Sequence, residues 1–515
     1  MPEAAGRVGM LAHRFGGILA FVLGSLTVLA FAPYGLWPIQ LLTLCGLCAL
    51  LREADRVGRS AVLGWMYGFG WQLFGTCWIY ISLHDYGDLP AWMTVIAVAG
   101  LALFLSGLMA AAAATAQWCR QRWQLSHRQH LLLVWPALFM LAEWTRAWIF
   151  TGFPWLSAGY AHTAAPLGGF AALVGVYGIG LLCAIVAGAL LLMRGDRRLI
   201  ALPMVLLLAG ALLRLVDWTT PHGAPITVRL LQPNVAQEVK FNPQRVPLTL
   251  QQYAQMITAA PADLIATPET ALPILSSQLP ADYLPWLDDF ARRSHSQLLV
   301  GVPLSVVPGE ASNSVIGLGA AGPYHYDKHH LVPFGEFTPR GFRWFLDMMQ
   351  MPLGDFNRGA LQQTPLAVKD QWVMPNICYE DLFGEEIAAQ LDGGSARATI
   401  LLNVSNIAWF GNSIALPQHL QISQMRALET GRPMLRATNT GATAVIDRKG
   451  RVMSALAPLT VGTLAATVQG YTGATPYIRV GNHLAVLLAL LMLAAAWRWR
   501  GKKLPSGPPA HPKTR

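Results

Sequence analysis

The sequence predicts a multi-pass α-helical membrane bundle of about eight spans carrying an α/β domain, and three observations predict it. Hydrophobic residues make up 54% of the 515 residues and charged residues only 12%, about half the charge of an ordinary soluble domain. Mean hydropathy is +0.40. Seven apolar runs precede residue 218 and an eighth follows residue 480. Between them the texture changes to short β-rich runs alternating with helix-like stretches. Disorder and fibrous repeats are excluded by the apolar content and the lack of a visible repeat period.

The apolar runs fall near 14–32, 35–51, 61–83, 90–118, 131–150, 167–193, 199–216 and 481–497. Crossing a hydrocarbon core of about 30 Å takes about 20 such residues. The second and last runs are short, and Pro33-Tyr34-Gly35 turns the chain between the first two. No small-residue cleavage site follows the first run, so it reads as a retained helix.

Charge orients the bundle. The net charge is +10, yet residues 218–480 hold 18 Lys and Arg against 19 Asp and Glu. Of the chain's 37 basic and 27 acidic residues, 19 and 8 remain for the apolar part. That excess falls in three short loops: Arg52, Arg56 and Arg59; Arg120, Arg122 and Arg128; Arg194, Arg197 and Arg198. The alternate loops at 84–89 and 151–165 contain no Lys or Arg. By the positive-inside rule the basic loops and both termini are cytoplasmic, which puts 218–480 on the opposite side. A basic excess of this kind is a topology signal and not a nucleic-acid surface. Expected boundaries are therefore 1–217 for about seven helices, 218–480 for the extramembrane domain, 481–497 for the last helix and 498–515 for a disordered tail.

Several polar residues interrupt the helices. Cys45 and Cys48 form a C-x-x-C without a second ligand pair, and read as small packing residues. Glu143 and Arg146 are i,i+3, so they pair on one helix face, for structure or for function. Tyr80, His84, Asp85 and Tyr86 gather at the outer end of the third span, as interfacial aromatics or as head-group contacts.

In the domain, strands are expected at 226–231, 264–266, 297–302, 314–318, 372–377, 399–404, 434–437 and 443–446. Helices are expected at 248–260, 284–294, 382–391 and 417–431. Cys378 is the one cysteine of the domain, which leaves it no disulfide partner there. It directly follows an expected strand, where α/β proteins display nucleophiles; a small buried core residue is the plain alternative. A thiol needs a base and an oxyanion stabiliser. Glu269 follows another strand between Pro268 and Pro273. Lys328, one of four lysines in the domain, sits among apolar and aromatic residues.

Taken in order, Pro268-Glu269-Thr270, the Lys328-His329-His330-Leu331-Val332-Pro333-Phe334-Gly335-Glu336 run and Ile377-Cys378-Tyr379-Glu380 resemble the nitrilase, or carbon–nitrogen hydrolase, superfamily with its Glu-Lys-Cys triad. Gln232-Pro233-Asn234, Asn403-Val404-Ser405-Asn406 with Trp409-Phe410-Gly411, and Met425-Arg426-Ala427-Leu428-Glu429 through Pro433 narrow the resemblance. With the eight spans, the chain from Arg14 to Trp497 is similar to the bacterial apolipoprotein N-acyltransferases. That resemblance implies an αββα sandwich and a multi-pass protein of the bacterial inner membrane, with the catalytic domain periplasmic. It implies a ping-pong transfer of an acyl chain from a phospholipid, typically phosphatidylethanolamine, to the α-amino group of a diacylated apolipoprotein. Glu269 would be the base, Lys328 the oxyanion stabiliser and Cys378 the thioacyl carrier, with no metal or soluble cofactor. Glu336, Tyr379 and Glu380 match supporting positions around the pocket, as do Asn406 and Trp409. Phe241 stands where the family often has Trp, and Ile407 where it commonly has Asp. The apolar stretch 342–351 reads as a lid that dips into the outer leaflet or as a core element. A membrane-anchored amidase would share the triad, although one span would suffice to anchor it. A transporter or scaffold with an inert Cys378 is the second rival.

Overall fold

The computed structural model describes residues 2–500, apart from 306–309, 320–321, 339–354 and 393–397, with backbone alone for 2–14. The stretch 342–351 and the tail beyond 500 lie outside the described residues.

All eight apolar runs hold helices: α1 (Pro2–Thr27), α2 (Trp37–Glu53), α3 (Val57–Gly75), the short α4 (Ile79–His84), α5 (Ala91–Arg122), α6 (Trp135–Thr145), α7 (Ala171–Leu192) and α8 (Ala201–Leu213) before the domain, and one after it. The run expected as one helix at 61–83 is divided between α3 and α4. Among the described residues, two helices are long and apolar enough to cross a membrane, Ala91–Arg122 and Pro166–Leu192, the latter beginning as a 3₁₀ turn. Small residues set the closest approach within the bundle. A Cβ on Gly64 of α3 would stand 2.7 Å from the Ala113 Cβ of α5, the small-residue contact that lets apolar helices meet. Thr27 Oγ1 lies 2.7 Å from Thr43 Oγ1 and 2.8 Å from the Tyr67 hydroxyl, tying α1, α2 and α3.

The domain contains two six-stranded sheets. The first runs β12-β1-β2-β3-β4-β5 and the second β11-β10-β9-β8-β7-β6. Their strands are β1 (Thr220–Gln232), β2 (Leu264–Ala266), β3 (Gln297–Leu304), β4 (Ser312–Gly319), β5 (Tyr324–Asp327), β6 (Leu366–Val368), β7 (Gln371–Ile377), β8 (Ile400–Ser405), β9 (Met434–Thr438), β10 (Ala444–Ile446), β11 (Val452–Ala455) and β12 (Gly462–Thr472). β1-β2-β3 and β7-β8-β9 are parallel, so three strands of each sheet send their C-terminal ends the same way.

Alternation along the strands builds the layers. Val228, Leu230, Leu264, Ala266 and Leu299 meet Val373, Ile377, Leu402 and Val404 of the other sheet in one core. Their neighbours Leu231, Ile265, Leu298 and Val300 face outward, against α9 (Val246–Thr258) and α10 (Tyr283–Arg293). Behind the second sheet lie α11 (Gly384–Asp392) and α12 (Ala415–Thr430), before α13 (His483–Arg498) closes the chain. The layers are α-β-β-α, as the resemblance implies. The outer helix layer of the second sheet is not free: Tyr379, Leu382, Phe383, Ala415, Ile422 and Met425 share a core with Trp71, Trp135, Phe139 and Trp155 of the bundle.

Candidate active site

Three strand ends deliver the three expected residues. Cys378 begins the 3₁₀ turn after β7 with φ of +52°, a left-handed backbone that costs a side-chain-bearing residue energy and marks a sharp turn. Its side chain is partly exposed, whereas Glu269 and Lys328 are buried. Glu269 follows β2, and Lys328 follows β5 with its amide held at 2.8 Å by the Asn313 carbonyl.

The carboxylate of Glu269 has partners on both oxygens. Oε1 accepts from Lys328 Nζ at 3.0 Å and Asn313 Nδ2 at 2.8 Å, and Oε2 accepts from the Asn406 amide at 2.9 Å. Asn406 follows β8, so this last bond crosses from one sheet to the other. Glu336 repeats the motif. Its Oε1 accepts from Lys328 Nζ at 2.9 Å and Asn313 Nδ2 at 2.6 Å, and Oε2 from the Val332 amide at 2.8 Å. Two carboxylates thus share one ammonium.

The protonation states follow. Burial alone would raise Glu269, but Lys328 and the Asn406 amide hold its carboxyl below the usual range. Burial would lower Lys328, and Glu269 and Glu336 outweigh it, raising the ammonium well above its ordinary value. Burial pushes the Cys378 thiol up to about 12, with Glu269 adding to the rise and Lys328 opposing it. At rest the site is a neutral thiol beside an ionised carboxylate, so a thiolate forms only as its proton moves.

Glu380 stitches the Cys378 turn to the Lys328 loop. It accepts from the Ile377 amide at 2.6 Å, the Tyr326 hydroxyl at 3.0 Å, and the His329 and His330 amides at 2.7 and 3.3 Å. Burial lifts this carboxyl to about 7, while those amides and Lys328 pull it back. Tyr379 points the other way, donating its hydroxyl to the Gly152 carbonyl of the bundle at 2.7 Å.

The remaining expected residues, Phe241 and Trp409, are partly exposed. The Phe241 ring is partly exposed, with Lys240 Nζ 5.8 Å from its centroid. Trp409 packs edge-on against Tyr86 at 5.9 Å and makes no hydrogen bond to the triad. The Glu143–Arg146 pair, 3.0 Å apart, binds backbone on both sides: Arg146 donates to the Phe153 and Trp155 carbonyls and Glu143 accepts from the Ala158 amide. It shapes the loop beneath Tyr379. Cys45 and Cys48 are free, half-buried and buried.

Family comparison decides the setting. Residues 23–189 match the family model described as Apolipoprotein N-acyltransferase N-terminal domain, and residues 227–477 match Carbon-nitrogen hydrolase. An apolipoprotein N-acyltransferase of Ralstonia nicotianae is 50% identical over 494 residues, covering 94% of this chain and 93% of that one. One from Nitrosomonas europaea is 44% identical, covering 95% of this chain and 99% of its own. The chain belongs to the apolipoprotein N-acyltransferase family.

Within this apolipoprotein N-acyltransferase fold, several site residues escaped sequence reasoning. Asn313 joins the two carboxylates from the start of β4, and its place between Ser312 and Ser314, just before the expected strand, gave no signal. Lys240 is buried and donates to the Glu269 carbonyl at 3.2 Å; burial lowers it to about 7, against the pull of Glu269 and Cys378. His419 supports the carbonyl of Cys378. Arg436, always a donor, lies 3.0 Å from His419 Nδ1, so Nε2 carries the proton and donates to the Cys378 carbonyl at 3.3 Å, beside Asn403 Nδ2 at 3.2 Å. Arg436 is in turn paired with Asp381 at 3.2 Å.

Proposed function

We propose that the protein transfers an acyl chain from a membrane phospholipid, phosphatidylethanolamine in the first instance, to the α-amino group of the N-terminal diacylglyceryl-cysteine of an apolipoprotein. The observation that carries this reading is the fixed Glu269 carboxylate, held by Lys328, Asn313 and Asn406, beside a partly exposed Cys378 on a strained turn. In the first half-reaction Glu269 takes the thiol proton as Sγ attacks the ester carbonyl. Lys328 Nζ supports the oxyanion. The carbonyl reforms, the C–O bond breaks, and the proton on Glu269 goes to the departing lysophospholipid oxygen, leaving a thioester. In the second half the acceptor amine attacks that thioester, Glu269 receives the amine's proton, and Sγ leaves with it as an amide forms.

The two long apolar helices and the helices of the six other apolar runs fit an eight-span protein of the bacterial inner membrane. In this reading 1–217 and 481–497 form the bundle, 218–480 is the periplasmic catalytic domain, and both termini face the cytoplasm. Glu336 holds Lys328, Glu380 holds the two catalytic loops together, and Phe241, Asn406 and Trp409 line or support the pocket. Mass spectrometry of the full-length protein after incubation with phosphatidylethanolamine, beside Cys378→Ala, tests the reading. A gain of one acyl chain, labile to hydroxylamine and absent from the variant, is expected, followed by loss of that mass when a diacylated lipopeptide is added. An intact, folded protein that gains no acyl mass overturns it.

A further inference from the structure

The Lys328 loop carries a histidine that the acyl-transfer scheme leaves unused. His330 is buried, and its ring stacks on Phe383 with centroids 3.5 Å apart and planes 14° from parallel. Both ring nitrogens face oxygen. Nδ1 lies 2.8 Å from Glu386 Oε1 on α11, and Nε2 lies 2.8 Å from the Thr151 carbonyl of the bundle. A carbonyl oxygen only accepts, so Nε2 bears a proton. The Glu386 side chain keeps 23% of its surface in contact with water, and as a carboxylate it too only accepts. A neutral imidazole has a single N–H; acceptors on both nitrogens require the imidazolium.

The partners give this bridge its consequence. Phe150, Thr151 and Gly152 form a turn with φ of +52°, +75° and +84°. A Cβ on Gly152 would stand 1.9 Å from the Ala147 carbonyl oxygen, so the tight turn needs glycine there. Its next carbonyl, that of Gly152, receives the Tyr379 hydroxyl. Consecutive carbonyls of one bundle turn therefore receive the residue after the nucleophile and the residue two beyond Lys328. From its other side the His330 amide donates to Glu380.

We propose that His330 is a positioning residue for acyl transfer: as an imidazolium bridging Glu386 and the Thr151 carbonyl, it fixes the Lys328 loop against the helical bundle. The inference rests on the acyltransferase reading. The titratable groups that the ring and its amide meet are Glu386 of α11 and Tyr379 and Glu380 of the Cys378 turn.

The test uses full-length protein as wild type, His330→Gln, His330→Ala and Glu386→Gln. Single-turnover thioester formation is followed across phosphatidylethanolamine concentration, beside alkylation of Cys378 by iodoacetamide. His330→Ala should slow thioester formation about tenfold or more at an unchanged phospholipid dependence, because a catalytic group displaced by a fraction of an ångström loses rate and not affinity. His330→Gln keeps a donor for Thr151 and should recover part of the rate. A His330→Ala rate within about twofold of wild type, or a His330→Gln rate no better than that of His330→Ala, overturns the proposal. Should His330→Ala fail to fold, His330→Gln and Glu386→Gln decide: rates within about twofold of wild type in both overturn it. Absence of a thioester in wild type would instead defeat the acyltransferase reading. Alkylation then reads the positioning alone: unchanged rates across the variants overturn it, and slower ones sustain it.

Discussion

Two of the buried charge clusters in this domain are built on different arithmetic. Around Lys328, two carboxylates share one ammonium and the thiol beside them is partly exposed. On α12, Arg426 pairs with Glu429 at 3.1 Å, both essentially without exposure, and Glu429 also accepts the Val176 amide at the kink of α7. The first cluster is net negative and has somewhere to put a proton. The second is balanced one to one and holds the bundle to the domain. Removing one carboxylate from the first leaves a neutral pair, whereas removing the carboxylate of the second leaves a guanidinium alone in the interior.

The sharpest way to break this contrast is Glu269→Gln. Acyl transfer should fall on the order of 10³-fold, the size of a lost general base, while the melting temperature stays close to wild type. The same variant should make Cys378 alkylate at lower pH than wild type, since Glu269 raises the thiol and Lys328 lowers it; a profile shifted to higher pH would contradict the electrostatics. Next in size, Glu429→Gln should cost about 3–5 kcal/mol of stability by stranding Arg426, read by thermal unfolding. The folded fraction should still form the thioester. Glu336→Gln should slow transfer about tenfold through a less firmly held Lys328, with little loss of stability. Smallest, Tyr379→Phe removes one hydrogen bond to Gly152 and should cost about 1 kcal/mol, seen as a modest fall in the rate of thioester formation.

Legibility in the sequence followed the same division between interior and rim. Every interior strand of both sheets, β1 to β4 and β7 to β10, was expected, although β1 starts at Thr220, well before the expected 226. The four unforeseen strands, β5, β6, β11 and β12, are the four sheet edges. An edge strand pairs on one side and buries less, so its apolar signal thins: β11 has no buried residue, and β12 buries chiefly Leu464, Val468 and Gly470. Cys378 and Glu269 were legible because each follows an expected strand, whereas Lys328 follows the unforeseen β5 and was legible from its apolar and aromatic neighbours and the run that continues to Glu336. Asn313, His419 and Arg436 were not, because each acts across the fold on a partner more than ten residues away in sequence, which no local pattern encodes. The eight apolar runs were legible as helices, but the break between α3 and α4 was not foreseen.

The layer of Tyr379, Leu382, Phe383, Ala415, Ile422 and Met425 that the domain shares with the bundle bears on modularity. The two family matches are separate, ending at residue 189 and resuming at 227. The folded protein ignores that division. One face of the sandwich is covered by its neighbour and not by solvent, so the α/β half is no free-standing module: released from the helices, it would present a raw apolar flank.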